Sequence, residues 1–103
     1  LVLPHVLRFN AEAAAPLYAE LAPLLLGERL RPGNAHSLTG QFVDELAALG
    51  PRCGLPSRLR DAGVPQDCLE QLACDAMQQQ RLLVNNPREV SQADALAIYR
   101  AAY

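Results

Sequence analysis

The sequence has no excess of positive charge and no long apolar run. Lysine and arginine total 9 residues against 11 aspartates and glutamates, which gives a formal charge of -2 at pH 7. Proteins that bind phosphate backbones or anionic lipid usually carry a basic surface, so we expect neither nucleic acid nor a membrane as a partner. The apolar stretch Leu1–Leu7 is broken by Pro4 and His5, and it has neither a basic leader nor a small-residue cleavage site. These absences predict a cytoplasmic protein.

Cysteine and histidine are too few and too scattered to indicate a metal site. The three cysteines, Cys53, Cys68 and Cys74, are an odd number and include no CxxC pair, which fits neither a disulfide framework nor a thiolate site. We expect reduced thiols that pack as small hydrophobic side chains. His5 and His36 each lack a second ligand three or four residues away, so we expect a partly buried, hydrogen-bonded His5, a solvated or helix-starting His36, and no metal ligand.

Glycine is also too dispersed to form a phosphate-binding loop. None of the six glycines follows a strand-like run and opens a helix, as a nucleotide fingerprint requires. A chain of 103 residues that is 50% hydrophobic is sized for one domain with its own core and has little room to enclose a cofactor. We therefore predict a single domain over residues 1–103 with no catalytic and no cofactor-binding residue.

The sequence is rich in strong helix formers. It contains 19 leucines and 17 alanines but only 8 β-branched residues, which favours an all-α fold. Caps, prolines and glycines divide it into an irregular bundle of about four to five short amphipathic helices. The predicted helices run from Ala11 to Leu26 after an Asn10 cap, from Ser37 to Gly50, from Ser57 to Asp61 as a short turn, from Pro65 onwards, and from Ser91 in a capping box with Asp94.

Apolar residues at helical spacing mark the faces that we expect to be buried. The predicted faces are Leu17, Leu21, Leu24 and Leu25 in the first helix, Leu38, Phe42, Leu46 and Leu49 in the second, Leu69, Leu72, Ala73 and Ala76 in the third, and Ala95, Leu96, Tyr99 and Ala102 in the last. Pro16 and Pro23 leave open whether the first helix is kinked or continuous. Gly27 to Ala35 has the composition of a connection.

Two connecting segments carry unusual side chains. Arg81–Val90 is predicted to be a loop, because the Asn-Asn-Pro run within it disfavours helix. The apolar residues Leu82, Leu83 and Val84 would be costly to expose there, so we expect the loop to line its own core or a cleft. The charged turn Arg58–Asp61 is most simply solvated or paired within itself.

Three segments in register resemble the C-terminal helical domain of the iron-containing (group III) alcohol dehydrogenases, which has a dehydroquinate synthase-like fold. They are Leu3–Asn10, Gly54–Val64 and Asn85–Val90. The resemblance covers essentially all 103 residues. It implies that the chain is the C-terminal part of a two-domain enzyme, with the N-terminal nucleotide-binding domain as its missing partner. Whether the whole enzyme is a homodimer stays open.

The resemblance also implies which chemistry this chain does not carry. Members of the family transfer hydride reversibly between an alcohol and NAD(P), with a divalent metal, iron or zinc, in the cleft between the domains. One aspartate and three histidines hold the metal, and all four lie upstream of the motif that Pro4 and His5 match. No residue here inherits a metal or nicotinamide role, so we expect the isolated chain to be inactive.

The resemblance implies one site for this chain, the loop before the Asn-Pro-Arg motif, which approaches the cleft in the family. It would bring Leu82 and Leu83 near the apolar part of an alcohol. Some relatives have a cysteine and a threonine there, so two leucines imply a more apolar pocket. Asn86, Pro87 and Arg88 are interpreted as structural residues that order the turn into the last helix.

Other readings of the same fold stay open. The domain could belong to a related maleylacetate reductase or glycerol dehydrogenase, or it could be an independent small helical interaction module. The apolar segment Leu1–Leu7 is unsuited to begin a free-standing domain and makes sense as the end of a helix whose earlier turns lie in missing chain. We therefore predict an exposed apolar patch at the N-terminus.

Overall fold

Five α-helices joined by turns form the fold, and no β-strand is present. The computed structural model describes all of residues 1–103. The helices are α1 (Leu3–Leu26), α2 (Ala35–Arg52), α3 (Leu69–Ala76), α4 (Gln80–Leu83) and α5 (Gln92–Ala101). Single 3-10 turns cover Gly27–Arg29, Arg60–Ala62 and Gln66–Cys68. The all-α prediction is confirmed.

Helix α1 begins eight residues earlier than the sequence predicts. It starts at Leu3, with Pro4 in its first turn, where a missing N–H costs nothing because the first N–H groups of a helix have no partner within it. The predicted cap at Asn10 is wrong, because Asn10 is buried inside the helix and its amide bonds to Asn86. Leu3–Leu7 therefore forms the first turns of α1.

Both internal prolines lie within a continuous α1. Pro16 and Pro23 are exposed, so water can satisfy the carbonyl groups that they leave without an intrahelical donor. Gly27 has a φ of 55° and ends the helix, with its N–H bonded to the Pro23 carbonyl. This agrees with the predicted stop.

Small residues form the face that α1 presents to α2. Ala14, Ala15 and Ala22 are buried, and the Thr39 hydroxyl of α2 donates to the Ala15 carbonyl at 2.8 Å. The rings of Tyr18 and Phe42 stack beside this contact, with centroids 6.2 Å apart. Alanine on one helix lets the other backbone approach closely, which explains why the largest completely buried side chain is only a valine, Val43.

Three of the four leucines in the predicted stripe of α1 face outwards, and Leu25 is half-buried. Leu17, Leu21 and Leu24 are all exposed, and Leu24 retains 83% of its accessible surface. The expected inward orientation is wrong because the alanines of α1, not its leucines, meet α2. In α2 the expected face is only half-buried, and Leu49 is exposed.

The start of α2 is also displaced from the prediction. Asn34, not Ser37, is the cap, and its side chain accepts a hydrogen bond from the Ser37 N–H at 2.9 Å. The helix continues past Gly50 through Pro51 to Arg52. Glu45, within α2, forms ion pairs with Arg29 of the turn that follows α1 and with Arg52 at the end of α2.

Helices α3 and α5 pack against each other, and each buries residues of its predicted apolar face. Leu69 and Ala73 of α3, and Ala95 of α5, are buried. Leu69 also joins Leu59 and Ala102 in a small core, where the Leu59 N–H donates to the Ala102 carbonyl at 2.8 Å. The predicted Ser91 capping box is present in full.

The assembly of helices is thin, and little of it is buried. Its principal extents are 42 × 31 × 19 Å, so the short axis holds only two layers of helices, each roughly 10 Å across. Only 11 of 103 residues are buried. All three cysteines are exposed, which corrects the expectation that they pack as small hydrophobic residues.

Candidate functional site

The two histidines lie apart from each other, and neither belongs to a cluster of possible metal ligands. His36 is exposed in the first turn of α2 and His5 is half-buried near the start of α1. Burial, followed by the nearby Arg8, lowers the pKa of His5, and the expected hydrogen bond to its ring is absent. No group of three or more histidine, cysteine, aspartate or glutamate side chains is placed to hold a metal ion.

An apolar cavity of about 300 Å³ lies among α1, α4 and α5. Leu82 and Leu83, the two residues predicted to line a cleft, both belong to its wall. Its other lining residues are Val2, Val6, Phe9, Ala76, Asn86, Val90, Ala95, Ile98 and Tyr99. Asn86 is thus the only residue of the lining with an amide or charged group, and the cavity suits a hydrocarbon group.

The segment that carries the two leucines differs from the predicted loop. Gln80–Leu83 forms the single turn of α4, and irregular turns follow from Val84 to Val90. Leu83 is half-buried against the cavity, whereas Leu82 and Val84 are 62% and 80% exposed. Leu83 therefore packs towards the core of this chain, as expected of a loop that lines its own core, while Leu82 and Val84 remain accessible from outside.

Two asparagines join this segment to α1. The Asn10 amide nitrogen donates to the Asn86 Oδ1 at 2.7 Å, and the Asn86 amide nitrogen donates to the Asn10 Oδ1 at 2.9 Å. Asn86 also donates to the backbone carbonyl of Arg88. Since Asn10 is only 2% exposed, its amide would be left unpaired in the interior without this partner.

Arg88 reinforces the same junction with three contacts. Its Nη1 donates to the Phe9 carbonyl at 2.9 Å and lies 3.0 Å from the Glu12 carboxylate. Its guanidinium carbon lies 4.1 Å from the centre of the Phe9 ring, within the range of a cation–π interaction. The structural interpretation of Asn86 and Arg88 agrees with these contacts, while the role of Asn10 was missed.

A detectable signal for Asn10 exists in the sequence. Asn10 follows Val6 by four residues and Leu7 by three, so on a helix that begins at Leu3 it lies beside apolar residues. A polar residue in such a position calls for a buried partner. The second asparagine of the Asn-Asn-Pro-Arg run supplies it, although 76 residues separate the two.

The charged turn Arg58–Asp61 forms no ion pair within itself. Arg60 instead lies 6.0 Å from the centre of the Tyr103 ring, and Arg58, Arg60 and Asp61 are all exposed. This agrees with the solvated interpretation.

An apolar groove of about 360 Å³ lies between the start of α1 and the end of α2. Leu1 and Leu3 line it from the N-terminal side, and Leu49 and Leu55 line it from the other. All four leucines are exposed. The predicted apolar patch at the N-terminus is therefore present. None of the helices is long and apolar enough to cross a lipid bilayer.

Comparison with known proteins places this arrangement in a family. The C-terminal region of the Fe-containing alcohol dehydrogenase family matches residues 1–103. The chain belongs to this family.

Individual relatives extend the comparison to whole enzymes. The chain is 31% identical over 102 residues to long-chain-alcohol dehydrogenase 1 of Geobacillus thermodenitrificans (strain NG80-2), and 29% identical over 103 residues to lactaldehyde reductase of Escherichia coli (strain K12). A crystal structure of 1,3-propanediol oxidoreductase superposes on the whole chain with a TM-score of 0.90 at 28% identity. These matches cover 99–100% of this chain but 26% of each relative, so the chain spans about a quarter of their length.

Proposed function

We propose that this chain is the C-terminal helical portion of a metal-dependent, NAD(P)-linked alcohol dehydrogenase. The observation that carries the proposal is the match of all 103 residues to the C-terminal region of the family, with the same fold as a 1,3-propanediol oxidoreductase. The whole protein would transfer hydride reversibly between an alcohol and NAD(P). Residues 1–103 would form a single domain of it.

The metal and the nucleotide would be held outside these residues. The chain offers no cluster of side chains that fits a divalent metal such as iron or zinc, and it is all-helical without a strand-to-helix phosphate loop. We expect the chain alone to be inactive. Its contribution would be an apolar wall for the substrate cleft.

Leu82 and Leu83 would supply that wall. Both line the apolar cavity, and the exposed Leu82 is free to contact a ligand that approaches from outside. Burial of a hydrocarbon chain against leucine stabilises binding by about 0.8 kcal/mol per buried CH₂ group. The preferred substrate would accordingly be an alcohol with an apolar chain, not a diol.

The groove beside Leu1 and Leu3 is the natural place for upstream chain to pack. Both leucines are exposed together with Leu49 and Leu55, and the relatives are about four times as long as this chain. The partner of the chain would be an N-terminal nucleotide-binding domain of the same cytoplasmic polypeptide. A homodimer of the whole protein is compatible with this arrangement.

The test is an assay of the whole protein loaded with iron or zinc. We expect NAD(P)-dependent oxidation of 1-octanol with a higher kcat/KM than that of 1,3-propanediol. Leu82→Cys and Leu83→Thr should each reduce kcat/KM for 1-octanol by about tenfold while changing that for 1,3-propanediol much less, since only the longer chain reaches the leucines. Leu24→Thr, at an exposed leucine on α1 away from the cavity, is the matched control.

Other outcomes would redirect the proposal. A preference for glycerol or maleylacetate would place the protein in a neighbouring branch of the same fold. Absence of any alcohol-dependent NAD(P) reduction would contradict the enzyme proposal and favour an interaction module. The exposed leucines of α1, Leu17, Leu21 and Leu24, are the observation that favours this second candidate.

A further inference from the structure

One turn of α1 is joined by side-chain contacts to the segment that follows Leu82 and Leu83. Phe9, Asn10 and Glu12 of that turn all contact Asn86 or Arg88. These contacts join residues 76 to 79 positions apart in the chain. The short α4 offers little rigidity itself, because a single helical turn is not stable alone.

The same turn of α1 also forms part of the cavity wall. Phe9 lines the cavity with Leu82 and Leu83, and its carbonyl and ring are the two groups that receive the Arg88 guanidinium. A shift of Arg88 would therefore move the loop relative to the very surface that it faces. Phe9 therefore contacts the loop through Arg88 and also forms part of the cavity wall that faces the loop.

Asn10 is the buried half of this connection. Thr39 is the only other buried residue with a polar side chain, and its hydroxyl serves the contact between α1 and α2. The Asn10 side chain instead both donates a hydrogen bond to Asn86 and accepts one from it. A reciprocal amide pair has one favourable register, so it fixes where Asn86 lies along α1.

We infer that Asn10 and Arg88 are positioning residues that hold the Leu82–Val84 segment at the substrate cavity. They do not contact the reacting groups. They act through Asn86 and Phe9, which set the distance between the segment and α1. The effect on catalysis rests on the proposed function. The contacts that position the segment lie within residues 1–103 and do not depend on it.

Arginine is required at position 88 for geometric reasons. The Glu12 ion pair lies at the surface, with the Glu12 side chain 78% exposed, and exposed ion pairs contribute little. The bond to the Phe9 carbonyl and the stacking on the Phe9 ring use the planar guanidinium, which lysine does not have. Arg88→Lys should therefore keep the charge and lose the positioning.

The first experiment measures the position of the segment in the whole protein. Methyl resonances of Leu83 are compared in the unaltered protein, Asn10→Ala and Arg88→Lys, with the methyl groups of Val43 as a reference in the α1–α2 contact. We expect the Leu83 signals to move towards random-coil values in both variants while the Val43 signals stay in place. Arg8→Lys, at an exposed ion pair between α1 and Asp44, should move neither.

Two results of this experiment would overturn the inference. One is an unchanged Leu83 spectrum in Arg88→Lys while the Val43 signals stay in place. The other is an equal loss of Leu83 and Val43 signals, which would show that the two residues stabilise the fold as a whole and do not act on the segment.

The second experiment measures the catalytic consequence in the whole protein. For 1-octanol we expect Arg88→Lys to raise KM about tenfold with kcat within about twofold, because the apolar wall binds ground state and transition state alike. Arg8→Lys should change neither constant. An unchanged KM in Arg88→Lys would refute the positioning role, whereas no activity in the unaltered protein would refute the proposed function and leave the spectroscopic test standing.

Discussion

Val43 shows how little volume the core of this fold contains. It is the largest side chain buried completely, at 2% exposure, and it packs where alanines of α1 meet α2. Val43→Ala should lower the free energy of unfolding by about 2 kcal/mol, because the contact cannot close over the lost methyl groups. Urea denaturation of the two proteins measures the difference.

Leu24 provides the matched control for Val43. Leu24→Ala removes a larger side chain, yet 83% of it is exposed, so the free energy of unfolding should change by less than about 0.5 kcal/mol. A cost at Leu24 equal to that at Val43 would show that the leucines of α1 are buried within the isolated chain, contrary to the structure.

Glu45 should make the fold sensitive to acid. The hydrogen bond from Arg29, aided by Arg52, lowers the pKa of Glu45 below its usual 4.5, against the opposing effect of burial. A carboxylate whose pKa is lowered in the folded state stabilises the fold above the unfolded pKa, and this stabilisation is lost as the pH falls through the folded pKa. The stability difference between the unaltered chain and Glu45→Gln should therefore be largest near pH 6 and shrink below pH 4.5.

The control for this pH dependence is Glu20→Gln. Glu20 is exposed and belongs to none of the five ion pairs, so its replacement should leave the unfolding curve unchanged at every pH. A constant difference between the unaltered chain and Glu45→Gln from pH 6 to pH 3 would contradict the role of the carboxylate charge.

Residue positions were predictable from sequence where a local pattern decides them. The inward positions of Leu69, Ala73 and Ala95 follow from helical spacing alone, and the structure buries all three. Asn10 could not be placed in this way, because its role depends on Asn86 at the far end of the chain. A local rule assigned it to a cap, which is the common use of asparagine when no distant partner is considered.

At the scale of the element, α5 was the most predictable helix. Ser91 accepts from the Asp94 N–H while the Asp94 carboxylate accepts from Ser91, a reciprocal arrangement that short-range sequence encodes. Ser91→Ala should lower the free energy of unfolding by about 1 kcal/mol. Thermal or urea denaturation measures it, with the exposed Ser57→Ala as the control for loss of a hydroxyl.

A different result at Ser91 would change the account of this helix. If Ser91→Ala unfolds with the same free energy as Ser57→Ala, then packing against α3 stabilises α5 without help from its cap.

Helix α1 was the least predictable element, for a reason that sequence patterns do not reveal. Its leucines Leu17, Leu21 and Leu24 have the spacing of a buried face, yet they are exposed, because α2 packs on the alanine face. Periodicity identifies an apolar face but not which of two apolar faces a given neighbour covers. The start of the helix was missed because Pro4, normally an interruption, is compatible with its first turn.

At the scale of the whole molecule, the fold leaves unusually much apolar surface open for its size. Only 11 residues are buried, and apolar side chains line both the cavity near Leu83 and the groove near Leu1. Isolated proteins seldom expose several such patches. The family's all-helical fold was predictable from the three motifs, whereas the junction of Asn10 and Arg88 with the loop required the three-dimensional arrangement.

The exposed surface should be detectable in the isolated chain. We expect the 103-residue chain to enhance the fluorescence of an apolar dye such as 8-anilinonaphthalene-1-sulfonate, because the groove beside Leu1 and Leu3 is open. The double variant Leu1→Ser/Leu3→Ser should reduce this enhancement, and Leu55→Ser should reduce it in part. Absence of dye binding in the unaltered chain would contradict the open groove.

The most direct test of the central claim is the mass of the endogenous protein, measured by immunoblot of native extract with an antibody against this chain. The account predicts a band several times heavier than the 11.2 kDa of these residues, as expected for a polypeptide that also carries the metal and NAD(P) sites. A single band at 11.2 kDa would contradict it and would mean that the domain exists alone, with another partner on its apolar surfaces.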